Sequence, residues 1–545
     1  MADRTLGHRA PLLWLVLPLM AGLASGRAAE DLAGRGLLAP ALAAAVLAVA
    51  AARRAPRLWA PALAAALTLA GGASYTLHRQ RLAGWDERPP REARLTLQVE
   101  RVFAQTDPRK VSGLARVVAA DGQFRALVRQ RVAFALSLRA GDPAPLRSTV
   151  LLTSGVLAPL PRHPVPDSFE DYLDKAGVNF RLARGRALAV VRAPTCYRRF
   201  CARALLRLES LLGEGVAERQ PALAAIYRAM MLGQKQQLGD EQETLFKRSG
   251  TMHLFAINGL HIGIVALTLR ALLAAARCPR AVAVPLALAV VWLDVDLTGA
   301  TPSALRAFLL VACHETGRLA RRPPNGVASL AAAALLVLLA DPMALFSASF
   351  QMSYGVVLTV LCLGLPLAET LARRWRPFDD LPQATWHAAH HAVTWSLRWL
   401  AGALGLGISA LLVGAITGAA FFQLFAPIGL LVNLALVPLA SLTIMAGFAS
   451  VATGLGGLTR APLLFNHAAL VLLWTIDRAI HLALRLPGGW WPAHWRTTWA
   501  APLALATLLV SVVAGYAGGW RPSRGGWWPP FVVTAVALLC GVRLG

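Results

Sequence analysis

Acidic residues are scarce in this sequence. Its 545 residues include 28 Asp and Glu against 54 Lys and Arg, which gives a formal net charge of +26. Charged residues of both signs make up only 15% of the chain, whereas hydrophobic residues make up 56%. An average soluble domain has about 25% charged residues. The composition therefore excludes an ordinary soluble protein and predicts a membrane protein.

The motifs of several enzyme classes are missing. No group of glycines precedes Lys-Ser or Lys-Thr, so the sequence lacks the phosphate-binding loop with which many proteins hydrolyse ATP. The six cysteines form no Cys-x-x-Cys pair and no His/Cys set with zinc spacing. His253 and His261 have no glutamate between them, which excludes the HExxH motif of zinc proteases. We therefore expect neither a metal nor another cofactor.

Long apolar runs are what the sequence has instead. Runs of about 18 residues with few charges are typical of transmembrane helices. Such runs, some of them shorter, occur at 11–25, 37–52, 58–75, 253–276, 281–293, 327–340, 350–367, 400–421, 428–451, 468–486, 500–517 and 531–542. They predict an α-helical polytopic membrane protein with about ten to twelve transmembrane or membrane-embedded helices. The first run has the basic flank of a signal peptide, but the apolar runs that follow at once favour a membrane anchor.

The arginines between the first apolar runs predict the topology. Arg53, Arg54 and Arg57 follow the second run without an acidic neighbour. Cytoplasmic loops carry an excess of Lys and Arg, so we expect this loop and the N-terminus in the cytoplasm. Three crossings then place the polar segment that follows on the extracytoplasmic side. The chain divides accordingly into N-terminal transmembrane helices, an extracytoplasmic domain and a second membrane domain, at 1–76, 77–205 and 206–545.

The extracytoplasmic segment has the pattern of short β-strands. ARLTLQVERVF, RQRVAFALSLR and STVLLTSGVL alternate apolar and polar residues, and turn signals such as TDPRK and AGDPAP separate them. Short strands joined by turns predict a small closed barrel or sandwich, and an OB-like β domain is the natural candidate. OB barrels often bind single strands, although any small β domain gives this pattern. A short helix is expected next, with Asp167 or Ser168 as its N-cap.

Basic residues concentrate in the same segment. Between Arg79 and Arg207 there are 24 Lys or Arg and 11 Asp or Glu, a difference of +13. Such a segment attracts DNA or an anionic lipid surface, while an arginine-rich coding bias explains the count equally well. Residues 203–213 have an amphipathic pattern with a basic face, which predicts contact with membrane lipids. Cys196 and Cys201 are five residues apart, which leaves a disulfide and two free thiols equally open.

Polar side chains interrupt one apolar run. The stretch GTMHLFAINGLHIGIVA contains His253, Asn258 and His261. An ionisable group at membrane depth is costly unless it faces a cavity or a partner. We therefore expect these three side chains to line a polar path, with histidines that merely pack against the backbone as the alternative. Gly259 and Gly263 form a small-xxx-small pair, which predicts the close approach of another helix.

A second stretch, LDVDLTGATPSALRAFLL, ends one apolar helix and starts another. Gly299 marks the break, Thr301 is the predicted N-cap, and Pro302 begins the new helix. Arg306 lies one turn inside, where it and the helix N-terminus form a positive site suited to a phosphate. Pairing of Arg306 with an aspartate of the LDVD stretch, or snorkelling to the interface, is an equally open alternative.

Two further stretches, DPMALFSASFQMSYGVV and FFQLFAPIGLLVNLALVPLASL, carry amides within apolar helices. Gln351 and Asn433 are candidates for the same polar path, and Pro427 breaks the second run. Broken helices at membrane depth are tolerated where they line a cavity. Each amide taken alone is better explained as a hydrogen bond between helices.

Together these four stretches resemble the ComEC family of competence proteins, the inner-membrane DNA-uptake channels of natural transformation. The likeness lies in the order and spacing of LGQ…LFKRSGTMHLFAINGLHIG, LTGATPSALRA, DPMALFSASFQMS and FAPIGLLVNLALVPL, and it covers most of the chain. SFEDYLDKAGVNFRL is similar to the end of the family's extracytoplasmic OB-like domain. Asn258 and Thr301 stand where the family usually has serine, and both keep a polar side chain.

The resemblance implies a channel of the bacterial inner membrane that translocates single-stranded DNA into the cytoplasm. The implied partners are a periplasmic DNA receptor and a cytoplasmic helicase or translocase. Many members carry a C-terminal metallo-β-lactamase-like domain, thought to degrade the strand that is not transported. This sequence has no HxHxDH-type ligand set. We therefore expect no enzymatic activity, and a separate nuclease as a further partner.

Two other functions stay open at this point. A transporter of a small molecule or a lipid intermediate would use the same polar helices and would not depend on DNA. An intramembrane metal enzyme would use His253, His261, His314 and Glu315 and would contain bound zinc.

Overall fold

The computed structural model describes residues 11–28, 34–79, 85, 88–103, 107, 109–138, 143–161, 164–165, 168–234, 238–255, 259–322, 325–521 and 525–544. Helices account for most of the described chain. They are α1 (Leu13–Ala28), α2 (Gly34–Arg54), α3 (Pro56–His78), α4 (Phe169–Lys175), α5 (Cys196–Gly213), α6 (Pro221–Leu232), α7 (Asp240–Arg248), α8 (Gly259–Ala275), α9 (Arg280–Leu297), α10 (Pro302–Leu319), α11 (Gly326–Ala340), α12 (Ala348–Thr359), α13 (Leu365–Arg374), α14 (Ala388–Phe421), α15 (Gly429–Leu455), α16 (Ala461–Ala483), α17 (Ala500–Ala517) and α18 (Trp528–Gly541).

Six helical segments are long and apolar enough to cross a membrane. Within the described residues these are Arg57–His78, Ala348–Arg374, Ala388–Phe421, Gly429–Leu455, Ala461–Ala483 and Ala500–Ala517. The second is α12 and α13 joined by a π-helical turn. Shorter apolar helices accompany them at Leu13–Ala28, Gly36–Ala52, Pro221–Leu232, Gly259–Ala275, Gly326–Ala340 and Trp528–Gly541. The predicted α-helical multi-pass membrane protein is confirmed.

The strands form one barrel and one small sheet. They are β1 (Arg91–Phe103), β2 (Lys110–Ala120), β3 (Arg131–Ser137), β4 (Val150–Pro159), β5 (Phe180–Arg192), β6 (Leu424–Phe425), β7 (Trp491–Trp495) and β8 (Val542–Leu544). The first five close a barrel in the order β1-β2-β3-β5-β4, in which β3 and β5 are parallel. The last three form an antiparallel sheet in chain order. The predicted OB-like domain is confirmed as a closed five-stranded barrel.

Alternating side chains build the barrel core. Leu95, Leu97 and Val99 of β1 are each at most 2% exposed and pack with residues such as Phe134 and Leu182 from the neighbouring strands. Successive side chains of a strand point to opposite faces, so this alternation buries one face of each strand. A fully buried Val, Leu or Phe contributes about 1.5–3 kcal/mol. The period-two pattern in the sequence therefore accounts for both the strands and their core.

Two polar junctions connect the barrel to the membrane helices. Arg79, at the end of α3, bonds to Asp174, Asn179 and the carbonyl of Val178 on the barrel side. Ser168 caps α4 by accepting a hydrogen bond from the Asp171 amide at 3.1 Å, as predicted, while the other candidate cap, Asp167, lies outside the described residues. The second junction is centred on Asp296 and is described with the site below.

The largest apolar cluster of the described residues lies among the helices that follow the barrel. It contains Leu212 of α5, Tyr227 of α6, Phe246 of α7, Leu436 of α15 and Leu473 of α16, all at most 1% exposed. These helices surround the turn that leads from α7 to α8. The cluster therefore positions the stretch in which polar side chains interrupt the apolar run.

One predicted helix is shorter than expected. The apolar run predicted as a single helix over 253–276 contains a 3₁₀ turn at Met252–Phe255 and then α8, which begins at Gly259. Asn258 falls outside the described residues.

The predicted glycine contact is not observed in the described structure. A Cβ on Gly259 or Gly263 would meet no described atom within 4 Å, so no helix packs closely on this pair. Close packing through small residues occurs instead between α1 and α3. A Cβ on Gly22 would lie 2.0 Å from the carbonyl oxygen of Thr68, and one on Gly71 would lie 2.5 Å from that of Leu19. Small residues permit such approaches of helix backbones but do not by themselves produce them.

The open question about the two polar-segment cysteines is answered against a disulfide. Cys196 is exposed, Cys201 is buried, and both are free thiols. Both lie on α5. At 3.6 residues per turn, positions five apart point roughly 140° away from each other. The helix therefore directs the two sulfur atoms to different faces.

Candidate functional site

The first and fourth motif stretches meet at a pair of glycines. Gly250 follows α7 with a φ of 69°, and a Cβ on it would lie 3.4 Å from the Cα of Gly429, the first residue of α15. Ser249 and Thr251 flank it, both fully buried, with their hydroxyl oxygens 2.7 Å apart. The left-handed backbone favours glycine because it lacks a Cβ. This turn leads the chain from α7 into the 3₁₀ turn at Met252–Phe255.

Pro427 lies between β6 and α15, so the predicted break in that apolar run is present. Pro438, in contrast, lies inside α15 without ending it. Asn433 lies one turn into α15, and its Oδ1 atom is buried without a hydrogen-bond partner in the described part of the chain. An unsatisfied buried acceptor is costly. Asn433 is therefore the amide in this stretch with spare hydrogen-bonding capacity.

The first and second motif stretches meet through His261 and Asp294. His261, on the first turn of α8, is 1% exposed, and its Nε2 lies 3.6 Å from Oδ2 of Asp294 in the last turn of α9. The ring also contacts Phe448 of α15, with centroids 5.5 Å apart. The contact is an ion pair when the imidazole is protonated. This contact places an imidazole beside a carboxylate between α8 and α9.

The second and third motif stretches meet through Arg306. Thr301 caps α10 by accepting from the Ala304 amide at 3.4 Å, and Pro302 follows in the first turn, both as predicted. Arg306 is 5% exposed. Its Nη2 donates to the Ser349 carbonyl at 2.7 Å and to Ser353 Oγ at 3.0 Å, and it also bonds to Ser349 Oγ.

Among the described residues, Arg306 does not pair with an aspartate of α9 and does not extend to a surface. Its guanidinium instead bonds to the backbone and hydroxyls at the start of α12. A phosphate site at this position stays a prediction. The break before α10 is built by Gly299, with a φ of 90°, and Ala300, with a φ of 48°. The sequence identified Arg306 as special but not its serine partners, Ser349 and Ser353.

Asp296 forms the second junction between the barrel and the membrane helices. It is 5% exposed, and its Oδ1 accepts from Arg198 Nη1 at 2.7 Å and from Arg147 Nη1 at 3.4 Å. Arg198 lies on α5, and Arg147 precedes β4 of the barrel. Partial burial of its hydroxyl and, next, the nearby Asp296 carboxylate raise the pKa of Tyr197. Sequence reasoning missed this role, for which the unusual Asp-Val-Asp ending of an apolar helix was the available signal.

The remaining predicted residues are placed less decisively. His253 lies on the 3₁₀ turn with an exposed side chain. Gln351 donates to the carbonyl of Leu345 at 3.2 Å, which is a local hydrogen bond rather than one between helices. Among the described residues, no three His, Cys, Asp or Glu side chains converge as a metal site would require.

The site as a whole is a set of buried and partly buried polar side chains on contacting helices, of which His261 and Arg306 are the buried ones. α8, α9 and α10 contact one another, α8 also contacts α15, and α10 contacts α12. The set is formed by His261, Asp294, Arg306, Ser353 and Asn433, drawn from all four motif stretches. It offers a cation, a carboxylate, a titratable ring, a hydroxyl and an amide, which suits contact with a polar or charged passenger.

Comparison with known proteins finds a matching family model and a similar protein. The family model described as "Competence protein" matches residues 230–518, a range that contains all four motif stretches. ComE operon protein 3 of Bacillus subtilis (strain 168) is 33% identical over 141 residues. That match covers 26% of this chain and 18% of the relative, so this chain matches only a small part of the relative's length. No solved structure matches.

Proposed function

We propose a function from one premise: this chain belongs to the competence protein family. It takes part in DNA uptake, as a channel through which single-stranded DNA crosses the bacterial inner membrane into the cytoplasm. The N-terminus lies in the cytoplasm, and residues 77–205 lie outside the membrane and receive the strand. The domain from 206 to 545 forms the path. The B. subtilis relative, whose name refers to a competence operon, supports this direction.

The observation that carries the proposal is that polar side chains from all four motif stretches lie on contacting helices, with His261 and Arg306 buried. A charged side chain at the centre of a membrane costs roughly 2.5–3.5 kcal/mol on translocon scales. Arg306 and His261 are nevertheless buried, and Asp294 is partly buried beside His261. The Nε atom of Arg306 has no hydrogen-bond partner in the described part of the chain, and a passenger that carries phosphates could accept from it.

The proposed partners follow from the transport step. Single-stranded DNA is the cargo, and membrane lipids surround the helices. A periplasmic DNA receptor delivers the strand, a cytoplasmic helicase or translocase pulls it, and a separate nuclease degrades the other strand. The chain itself is not proposed to be an enzyme.

The test is DNA uptake by histidine variants in a transformable host that carries this chain in place of its own channel. We expect His253→Ala/His261→Ala to reduce the fluorescent DNA that reaches the cytoplasm several-fold. His467→Ala/His481→Ala, two exposed histidines of α16, is the matched control and should leave uptake unchanged. Uptake by the first variant equal to that of the control would reject the assigned path. DNA-independent transport of a lipid intermediate or small solute by the wild type would instead favour the transporter alternative.

A further inference from the structure

One segment of the chain combines many arginines with no acidic residue. Between Asp174 and Glu209 there are eight arginines and no Asp or Glu. The segment consists of β5, the last strand of the barrel, and α5, the helix that leads into the membrane domain. Seven of the eight arginine side chains are exposed, namely Arg181, Arg184, Arg186, Arg192, Arg199, Arg203 and Arg207. We call these seven residues the arginine track.

A β-bulge arranges the first part of the track. In a regular strand Arg181 and Arg184 would point to opposite faces, because side chains alternate. The pairing of β5 with both β3 and β4 shifts by one residue at this place, and Arg184 has a φ of 50°. Gly185 follows, and a Cβ on it would lie 2.5 Å from Leu136 Cδ2. A bulge redirects side chains, and here Arg181, Arg184 and Arg186 are all exposed.

The helical part of the track forms one stripe. Arg199, Arg203 and Arg207 are four residues apart and therefore lie on one face of α5. Phe200, which is 54% exposed, lies beside them. Exposed aromatic rings next to cationic side chains are the combination with which proteins hold single strands without sequence preference.

The track has no acidic counter-charge among the described residues. Arg116 and Arg131 of the barrel, in contrast, share Glu100, at 2.8 and 2.9 Å. No described carboxylate lies within 4.0 Å of a track arginine. Seven exposed cations without a described acidic partner raise the local potential and attract a polyanion.

The track also leads from the barrel toward the set of polar side chains that includes His261 and Asp294. Arg198, at the start of α5, bonds to Asp296 of α9, two residues after the Asp294 that contacts His261. The far end of α5 is anchored by Leu211 and Leu212, which are buried against the membrane helices. A DNA strand bound along β5 and α5 would therefore be guided toward α8 and α9.

We propose that the arginine track binds the phosphate backbone of single-stranded DNA on its way from the barrel to the membrane helices. This inference rests on the proposed channel function and names the surface that receives the strand. Lipid headgroups are also phosphates, but four of the seven arginines stand on a barrel strand rather than on a membrane helix. A continuous polyanion therefore matches the track better than separate lipids do.

The test measures how salt weakens binding of a fluorescent oligo(dT) to the full chain reconstituted in nanodiscs of uncharged lipid. For single strands, the slope of log K against log salt changes by about 0.7 for each phosphate contact. Arg181→Gln/Arg184→Gln/Arg186→Gln should reduce the slope by about 2 and weaken binding at low salt. Arg373→Gln/Arg374→Gln/Arg376→Gln removes the same charge from exposed residues of another surface and should leave the slope unchanged.

Each other outcome overturns the proposal. A track variant with the wild-type slope, or an equal loss in both variants, would show that the track makes no specific phosphate contacts. Loss of binding to short-chain phosphatidylglycerol with unchanged oligo(dT) binding would assign the arginines to lipid. DNA uptake by the wild-type chain is measured separately. If the wild-type chain takes up DNA but the track variant keeps the wild-type salt slope, the proposed role of the track is wrong and the proposed channel function is retained. If the wild-type chain does not take up DNA, the channel function itself is wrong.

Discussion

Removing the carboxylate of Asp296 tests the junction between the barrel and the membrane helices. The Asp296 side chain is 2% exposed, that of Arg198 20% and that of Arg147 48%. The two distances to Oδ1 are 2.7 Å for Arg198 and 3.4 Å for Arg147. The two arginine contacts therefore differ in hydrogen-bond distance and in exposure to solvent, although both arginines donate to the same atom, Asp296 Oδ1.

The magnitudes follow from burial. A hydrogen bond to a charged group contributes about 1.5–3 kcal/mol, and the Asp296–Arg198 contact is short and mostly buried. We expect Asp296→Asn to lower the free energy of unfolding by about 2 kcal/mol. An exposed ion pair contributes about 0.2–1 kcal/mol, so Arg147→Gln should cost less than 1 kcal/mol.

Double-mutant cycles in detergent micelles measure the two couplings directly. The cycle of Asp296→Asn with Arg198→Gln should give a coupling of about 1–2 kcal/mol, and the cycle with Arg147→Gln at most about 0.5 kcal/mol. Chemical unfolding of each variant supplies the free energies. Equal couplings for both arginines, or none for Arg198, would refute the argument from burial and distance.

Two further predictions concern the motif stretches. Arg306→Ala should lower the free energy of unfolding by about 2–3 kcal/mol, because it removes the charged hydrogen bonds to the Ser349 carbonyl and the Ser353 hydroxyl. Arg270→Ala, at a half-exposed side chain, should change it little, and similar losses in both would contradict the role of the Arg306 contacts. Gly250→Ala should cost about 1–2 kcal/mol because of its positive φ. Gly263→Ala, where no described atom is near, should leave stability unchanged or raise it by about 0.5–1 kcal/mol in the same unfolding assay, and the opposite order of the two glycine variants would overturn this explanation.

Local patterns predicted the fold well wherever one physical cause dominated. Alternation along ARLTLQVERVF buries Leu95 and Leu97 in a barrel, because period two leaves a strand only one way to face a core. Thr301 before Pro302, and Ser168 before FEDYLDK, start helices as predicted, because N-caps act within a single turn.

Contacts between distant segments were harder to predict. The sequence identified His261 and Arg306 as costly in a membrane, but their partners Asp294 and Ser349 depend on how α8 to α12 pack. Aspartates near Arg306 in sequence offered it an alternative partner, whereas the described contacts are with the serines of α12. The Gly259 and Gly263 spacing permitted a helix contact that tertiary packing does not use in the described structure. The spacing of residues shows which contacts a segment can make, whereas packing against the rest of the chain determines which of those contacts form.

The channel proposal is tested most directly by following fluorescent DNA in a transformable host whose own channel gene is replaced by this one. The host's nuclease is supplied as a separate chain, so that a missing nuclease cannot stop uptake. We predict that labelled DNA reaches the cytoplasm. DNA that stays outside the inner membrane, although this protein is present in that membrane and the nuclease is active, would contradict the proposed channel.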